Sequence, residues 1–149
     1  MNDEKAALGR KILRIKREMG LTWPEVAARL DHAPVFACAA CLGQMSFTRE
    51  SAEKAAALFG LDEAEAALLA EIPYRGSLPT AVPTDPLIYR FYELVMVYGT
   101  TWKELIQEEF GDGIMSAIDF DMTLERQPDQ KGDRVRVTMS GKFLPYKRY

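Results

Sequence analysis

The chain predicts a mainly helical α+β fold in two parts, on three observations. Apolar residues recur at helical spacing through the first 72 residues, broken by capping signals. A proline-rich stretch then interrupts the pattern. Past residue 117 the apolar period falls to two, as in strands with one buried face. The expected organisation is an N-terminal five-helix bundle over 1–72, a linker over 73–86, and a C-terminal α+β part over 87–149 that holds a β-hairpin.

Each element has its own signal. Leu8, Ile12, Ile15 and Met19 follow helical spacing, and Gly20 ends that helix. "TWPE" opens a second, with Thr22 as cap and Glu25 closing a capping box. "PVFACAACLGQM" makes a third. Thr48 starts a fourth that Gly60 stops, and Asp62 with Glu65 starts a fifth. The linker "IPYRGSLPTAVPTDP" contains four prolines and a glycine, which deny it amide donors and favour extended backbone. Asp85 then caps a helix with Pro86 at its first position. That helix is expected to end at Gly99. A further helix, "TTWKELIQEEFG", would start on a capping box of Thr101 and Glu104. "GDGIMSA" reads as a turn leading into one helical turn. "IDFDMTLE" and "RVRVTMS" alternate and are expected to pair as a hairpin. A lone hairpin is marginal in water, so it needs helices or a second chain to pack on.

Bulk properties exclude several functions. The chain has 149 residues, 48% hydrophobic and 28% charged, with net charge −3. An acidic balance argues against a general polyanion binder, though not against a small anion held by one or two arginines. No run approaches a membrane span, and the first residues do not read as a secretory signal, so a cytoplasmic setting is expected.

The five short helices resemble helix-turn-helix, lambda-repressor-like DNA-binding domains. The third helix, where a reading helix would lie, offers Ala, Cys, Val and Phe, with Gln44 at its end. Base edges are read by Arg, Lys, Asn or Gln, so nucleic-acid binding is the weaker alternative: a regulator without enzymatic activity. Lys5, Arg10, Lys11, Arg14, Lys16 and Arg17 are taken as a solvated basic face. Cys38 and Cys41 show C-x-x-C spacing, but a structural zinc site wants four ligands and His32 is the one histidine. Core packing is the expected role of both thiols.

The chemistry is expected in "PTDPLIYRFYELVMVYG". Arg90 and Glu93 stand three apart, on one face of an aromatic and aliphatic helix expected to be buried. Charges there must be paired. An oriented guanidinium is a good anion site, while spacing alone favours a structural bridge to a neighbour. Ser116 alone reads as a turn residue or a cap.

A resemblance bears on that choice. "DPLIYRFYELVMVYGTTWKELIQEEFGDGIMSAIDF" resembles the signature of the cyanases, as does "RVRVTMSGKFLPYKRY". "LGQM" and "IPYRG" extend the likeness through the helical part. The resemblance implies an enzyme that decomposes cyanate with bicarbonate as co-substrate, giving carbamate and carbon dioxide, without metal or other cofactor. Catalytic roles pass to Arg90, Glu93 and Ser116. The implied assembly is a homodecamer, a pentamer of dimers whose C-terminal parts interlock, with active sites between subunits. The implied partners are the small anions cyanate and bicarbonate, with neither nucleic acid nor membrane. A pure assembly protein, in which Arg90 and Glu93 only brace an interface, is a third reading.

Overall fold

The computed structural model describes residues 3–149 and forms two compact units, one ending at Ser77 and the other Leu78–Tyr149. In chain order the elements are α1 Asp3–Glu18, α2 Trp23–Leu30, α3 Pro34–Cys41, α4 Arg49–Phe59, α5 Glu63–Ala70, α6 Pro86–Phe110, β1 Gly113–Gln127 and β2 Arg134–Pro145. This is the mainly helical α+β fold the sequence predicts.

The first unit closes around its own core. Ile12 of α1, Val26 and Leu30 of α2, Cys41 of α3 and Phe59 of α4 lie within it, and Leu69 of α5 completes it. Local chemistry sets the helix starts. Thr22 accepts the Glu25 amide while the Glu25 carboxylate accepts the Thr22 amide at 2.7 Å. Asp62 and Glu65 repeat the arrangement at α5. Each such cap stabilises by about 1 kcal/mol. Gly60 ends α4 at φ 66, a conformation that costs glycine nothing. Helix α3 stops at Cys41, short of the expected Met45, because Gly43 turns the chain at φ 82.

Lys5 departs from the solvated face expected of it. It is 5% exposed and donates to the Glu71 carbonyl at 2.7 Å, tying α1 to the segment after α5. Gln44 ties the same segment down by accepting the Gly76 amide at 2.7 Å. The remaining charges of α1 meet water at least in part, and Lys11 pairs with Glu65 across to α5 at 2.5 Å.

The second unit corrects the sequence reading at three places. Helix α6 runs unbroken through Gly99 to Phe110. A glycine stop needs left-handed backbone, which Gly99 does not adopt; Gly111 at φ 93 is the actual cap. Tyr98 and Trp102 stack across Gly99 with ring centroids 6.4 Å apart, which helps offset the roughly 1 kcal/mol a mid-helix glycine costs. Next, "GIMSA" begins β1 directly, without a helical turn. Last, α6 buries none of its residues within the chain. The hairpin forms as expected, β1 antiparallel to β2 from Gln127↔Arg134 back to Phe120↔Gly141. The ladder then breaks, and resumes at Met115↔Phe143.

Candidate active site

Asp85 fixes the start of α6 by accepting the amides of Leu87 and Ile88 at 2.9 and 3.0 Å. The first turn therefore has a set phase, and Arg90 and Glu93 emerge on the same side. Arg90 Nη1 lies 3.3 Å from Glu93 Oε2. The Arg90 guanidinium carbon also sits 5.2 Å from the centre of the Tyr89 ring. A carboxylate and a ring face thus orient the fork, and its remaining N–H groups stay available.

The side chains of Arg90 and Glu93 are 62% and 45% exposed within the chain. An ion pair so wetted contributes less than about 1 kcal/mol. Stability of one chain therefore gives no reason for the pair to exist.

Ser116 is 4% exposed and sits at the break in the β ladder. Residues 116–119 of β1 lie opposite Lys142 alone, a bulge of four residues against one. The Ser116 hydroxyl oxygen accepts two amides across it, from Ile118 at 3.0 Å and Asp119 at 2.9 Å. Both acceptor positions are thereby filled, and what the hydroxyl has left to offer is its hydrogen. That is the polarity an anion needs. The bulge also throws Ile118 out of the expected apolar row, 98% exposed.

Among the described residues, Arg90 and Glu93 bond each other and Ser116 bonds neither of them. Along α6, Arg90 lies about 30 Å before Phe110 at a rise of about 1.5 Å per residue. Six residues of extended chain reach back about 20 Å at most, which leaves the Cα atoms of Arg90 and Ser116 roughly 10 Å apart or more. Helix α6 does not pack along the hairpin; its end meets β2 where Phe110 stacks on Phe143 at 5.1 Å.

Other reactive groups are accounted for elsewhere. His32 Nε2 lies 2.8 Å from Ser51 Oγ, a pairing the sequence did not show. Ser51 stands in the first turn of α4 beside its cap Thr48, and Phe36 and Phe47 flank the imidazole. Among the described residues no carboxylate bonds the other ring nitrogen, so the pair serves as a tether rather than a catalytic relay. Burial pushes the Cys41 thiol up to about 12 and raises Cys38 also, which keeps both protonated and unreactive. Among the described residues no group of His, Cys, Asp or Glu side chains could hold a metal ion, and no helix is long and apolar enough to cross a membrane.

Comparison with known proteins converges. Residues 5–73 match the family described as cyanate hydratase, N-terminal, and residues 80–148 match the cyanate lyase C-terminal domain. A cyanate hydratase of Methylibium petroleiphilum is 61% identical over 139 residues, covering 93% of this chain and 95% of its own. One of Polynucleobacter asymbioticus is 56% identical over 146 residues, 98% of this chain and 99% of its own. The crystal structure of the T. urticae cyanase superposes with a TM-score of 0.79 at 36% identity, covering 93% of this chain and 96% of the other.

Proposed function

Because the chain belongs to the cyanate hydratase family, we propose that it decomposes cyanate with bicarbonate, and that Arg90, Glu93 and Ser116 carry the reaction. It is a lyase and not a DNA-binding regulator. The observation that carries the site reading is the pairing at Arg90: an oriented guanidinium in an exposed ion pair that stability does not require.

Both substrates are anions, and two unit charges about 4 Å apart repel by about 4 kcal/mol at an effective dielectric near 20. Arg90 supplies the opposing charge. Glu93 and the Tyr89 ring hold it in one direction, so that little reorganisation is needed when the anions enter. Ser116 donates its hydroxyl hydrogen to an anion oxygen. A bicarbonate oxygen attacks the cyanate carbon, forming a C–O bond, and two protons reach the nitrogen, one from bicarbonate and one from solvent. The adduct breaks its bicarbonate-derived C–O bond, releasing carbon dioxide and carbamate. Carbamate takes a proton and falls to ammonia and a second carbon dioxide. Bicarbonate can carry one of the two protons, and the proposal includes no metal or organic cofactor.

Among the described residues no hydrogen bond or ion pair joins Ser116 to Arg90 or Glu93 within one chain, so the proposal places the active site between copies. The exposed apolar side chains of α6, Phe91, Val95 and Leu105 among them, suit a partner of the same kind. The apolar row Phe120, Met122 and Leu124 opposite Gly141, Met139 and Val137 suits one too. The proposed assembly is a decamer of five interlocked dimers. The first unit serves as a helical bundle in that assembly, and residues 87–149 as its catalytic and dimerisation part. Free thiols at Cys38 and Cys41 suit a reducing, cytoplasmic setting.

The test is ammonia release from cyanate. It should require added bicarbonate and survive a strong chelator. Turnover without bicarbonate, or loss on chelation, would overturn the mechanism.

A further inference from the structure

The bulge that presents Ser116 has a counterpart on the facing strand. Gly141 pairs with Phe120, where the ladder breaks. A Cβ on Gly141 would run into the Ser116 carbonyl oxygen and come within 2.6 Å of Met115 Cγ. Real Cβ contacts essentially never fall below 3.0 Å. Gly141 is not in the left-handed region, so it is not there for backbone freedom. It is there for space. Gly113, at the other side of the bulge, shows the same crowding. Its Cβ would meet the Leu144 carbonyl and come within 2.5 Å of Phe143 Cζ.

Two glycines thus let β2 press against β1 on either side of the Ser116 turn. The press has a chemical consequence. Ser116 stays nearly covered, and its hydroxyl is held by the amides of Ile118 and Asp119, which lie within the same bulge. Moving the Ser116 carbonyl away from β2 would move that whole turn. Relief of the contact needs a shift of roughly 1 Å, a displacement that costs on the order of a hundredfold in rate when it falls on a reacting group.

We infer that Gly141 is a positioning residue for the cyanate reaction, which acts by letting β2 close on the Ser116 bulge and so aims the Ser116 hydroxyl. The inference rests on the reading of Ser116 as the donor to substrate. Gly141 touches no substrate itself; it works through Ser116 alone.

That dependence makes the test. Gly141→Ala, Ser116→Ala and the double variant are assayed for ammonia release in the assembled protein, with the oligomer checked by light scattering. The expected result is a kcat lowered roughly 10- to 100-fold in Gly141→Ala, with KM changed much less and the oligomer intact. In the Ser116→Ala background the same substitution should have no further effect on kcat. A purely structural glycine would lower activity by the same factor in both backgrounds, and that additivity would overturn the inference, as would a Gly141→Ala kcat within twofold of the parent. Failure of Gly141→Ala to assemble would mark the glycine as a requirement of the fold and would overturn the inference as well. Full activity of Ser116→Ala would instead sink the reading of Ser116 itself. Loss in Ser116→Ala with an unaffected Gly141→Ala sinks only the role of Gly141.

Discussion

The two units of this chain solve the burial problem in opposite ways. The first hides its apolar side chains within itself: Ile12 and Val26 are 0% exposed and Leu30 is 1%. The second leaves Leu87, Val95, Leu105 and Phe110 each more than half exposed, and α6 buries nothing. Apolar burial is worth about 25 cal/mol per Å². A helix and hairpin that forgo it have no reason to hold together alone. The contrast supports the open unit as the place of the proposed chemistry. The self-contained unit spends its charges on tethers such as Lys5 and Lys11. The open unit carries Arg90 and Glu93 on an exposed helix face and Ser116 nearly covered at the hairpin bulge, and the proposal sets another copy of the chain against them.

The largest effect that could break this comparison is at the proposed site. Arg90→Leu should lower turnover by a hundredfold or more, since a fixed charge on the reacting anions is lost, with the oligomer intact. Near-normal ammonia release in that variant would return Arg90 to the role of a brace. Next in size is Val95→Asp, which puts a charge on the exposed apolar face of α6. It should dissociate the assembly and abolish activity while the circular dichroism of the first five helices persists. An unchanged oligomer by light scattering would show that this face meets water and not a partner.

The first unit should respond in the reverse sense. Ile12→Ala should cost about 2–5 kcal/mol in urea unfolding and leave kcat near the parent's, because the cavity opens in the first unit's own core, which holds none of the proposed site residues. Asp62→Ala, at the second capping box, should cost about 1 kcal/mol. A drop in kcat for either, with the oligomer whole, would mean that the two units are coupled more tightly than their separate cores suggest.

The smallest effect is a slope. Burial pulls the Lys5 ammonium below its ordinary value of 10.5, against the pull of the Glu71 carboxylate. The unfolded chain then holds that proton to higher pH than the folded one. Stability from this residue should rise with pH between the folded value and about 10.5. Lys5→Met should remove that rise, as read from urea midpoints at about pH 8 and about pH 10. A slope that survives the substitution would assign it to other groups.

The parts that were legible in the sequence were the local ones. Thr22 with Glu25 and Asp62 with Glu65 were readable as capping boxes because the partners stand three residues apart on one turn. The pairing of Arg90 with Glu93 was readable for the same reason. Gly99 misled, since a stop signal is also local. The helix continued with Tyr98 stacked on Trp102 across the glycine, and Gly111, at positive φ, took the cap instead. Lys5 misled because a lysine on a basic helix face looks solvated until the chain after α5 returns to cover it.

Ser116 marks the limit most clearly. Its type and place in "FGDGIMSAI" linked it to a family, yet alternation along one strand contains no register with the next. Only the pairing of β1 with β2 revealed the bulge, the two amides that saturate the hydroxyl oxygen, and the space that Gly141 leaves for it. By itself the sequence determined the family, the mainly helical α+β class, the helix caps and the adjacency of Arg90 to Glu93. These depend on residue type and on spacing within a turn. The tertiary structure decided the length of α6, the burial of Lys5, the register of the hairpin and the direction left open to the Ser116 hydroxyl. Those depend on which distant backbone comes within a few ångströms, a property that no short stretch of chain holds alone.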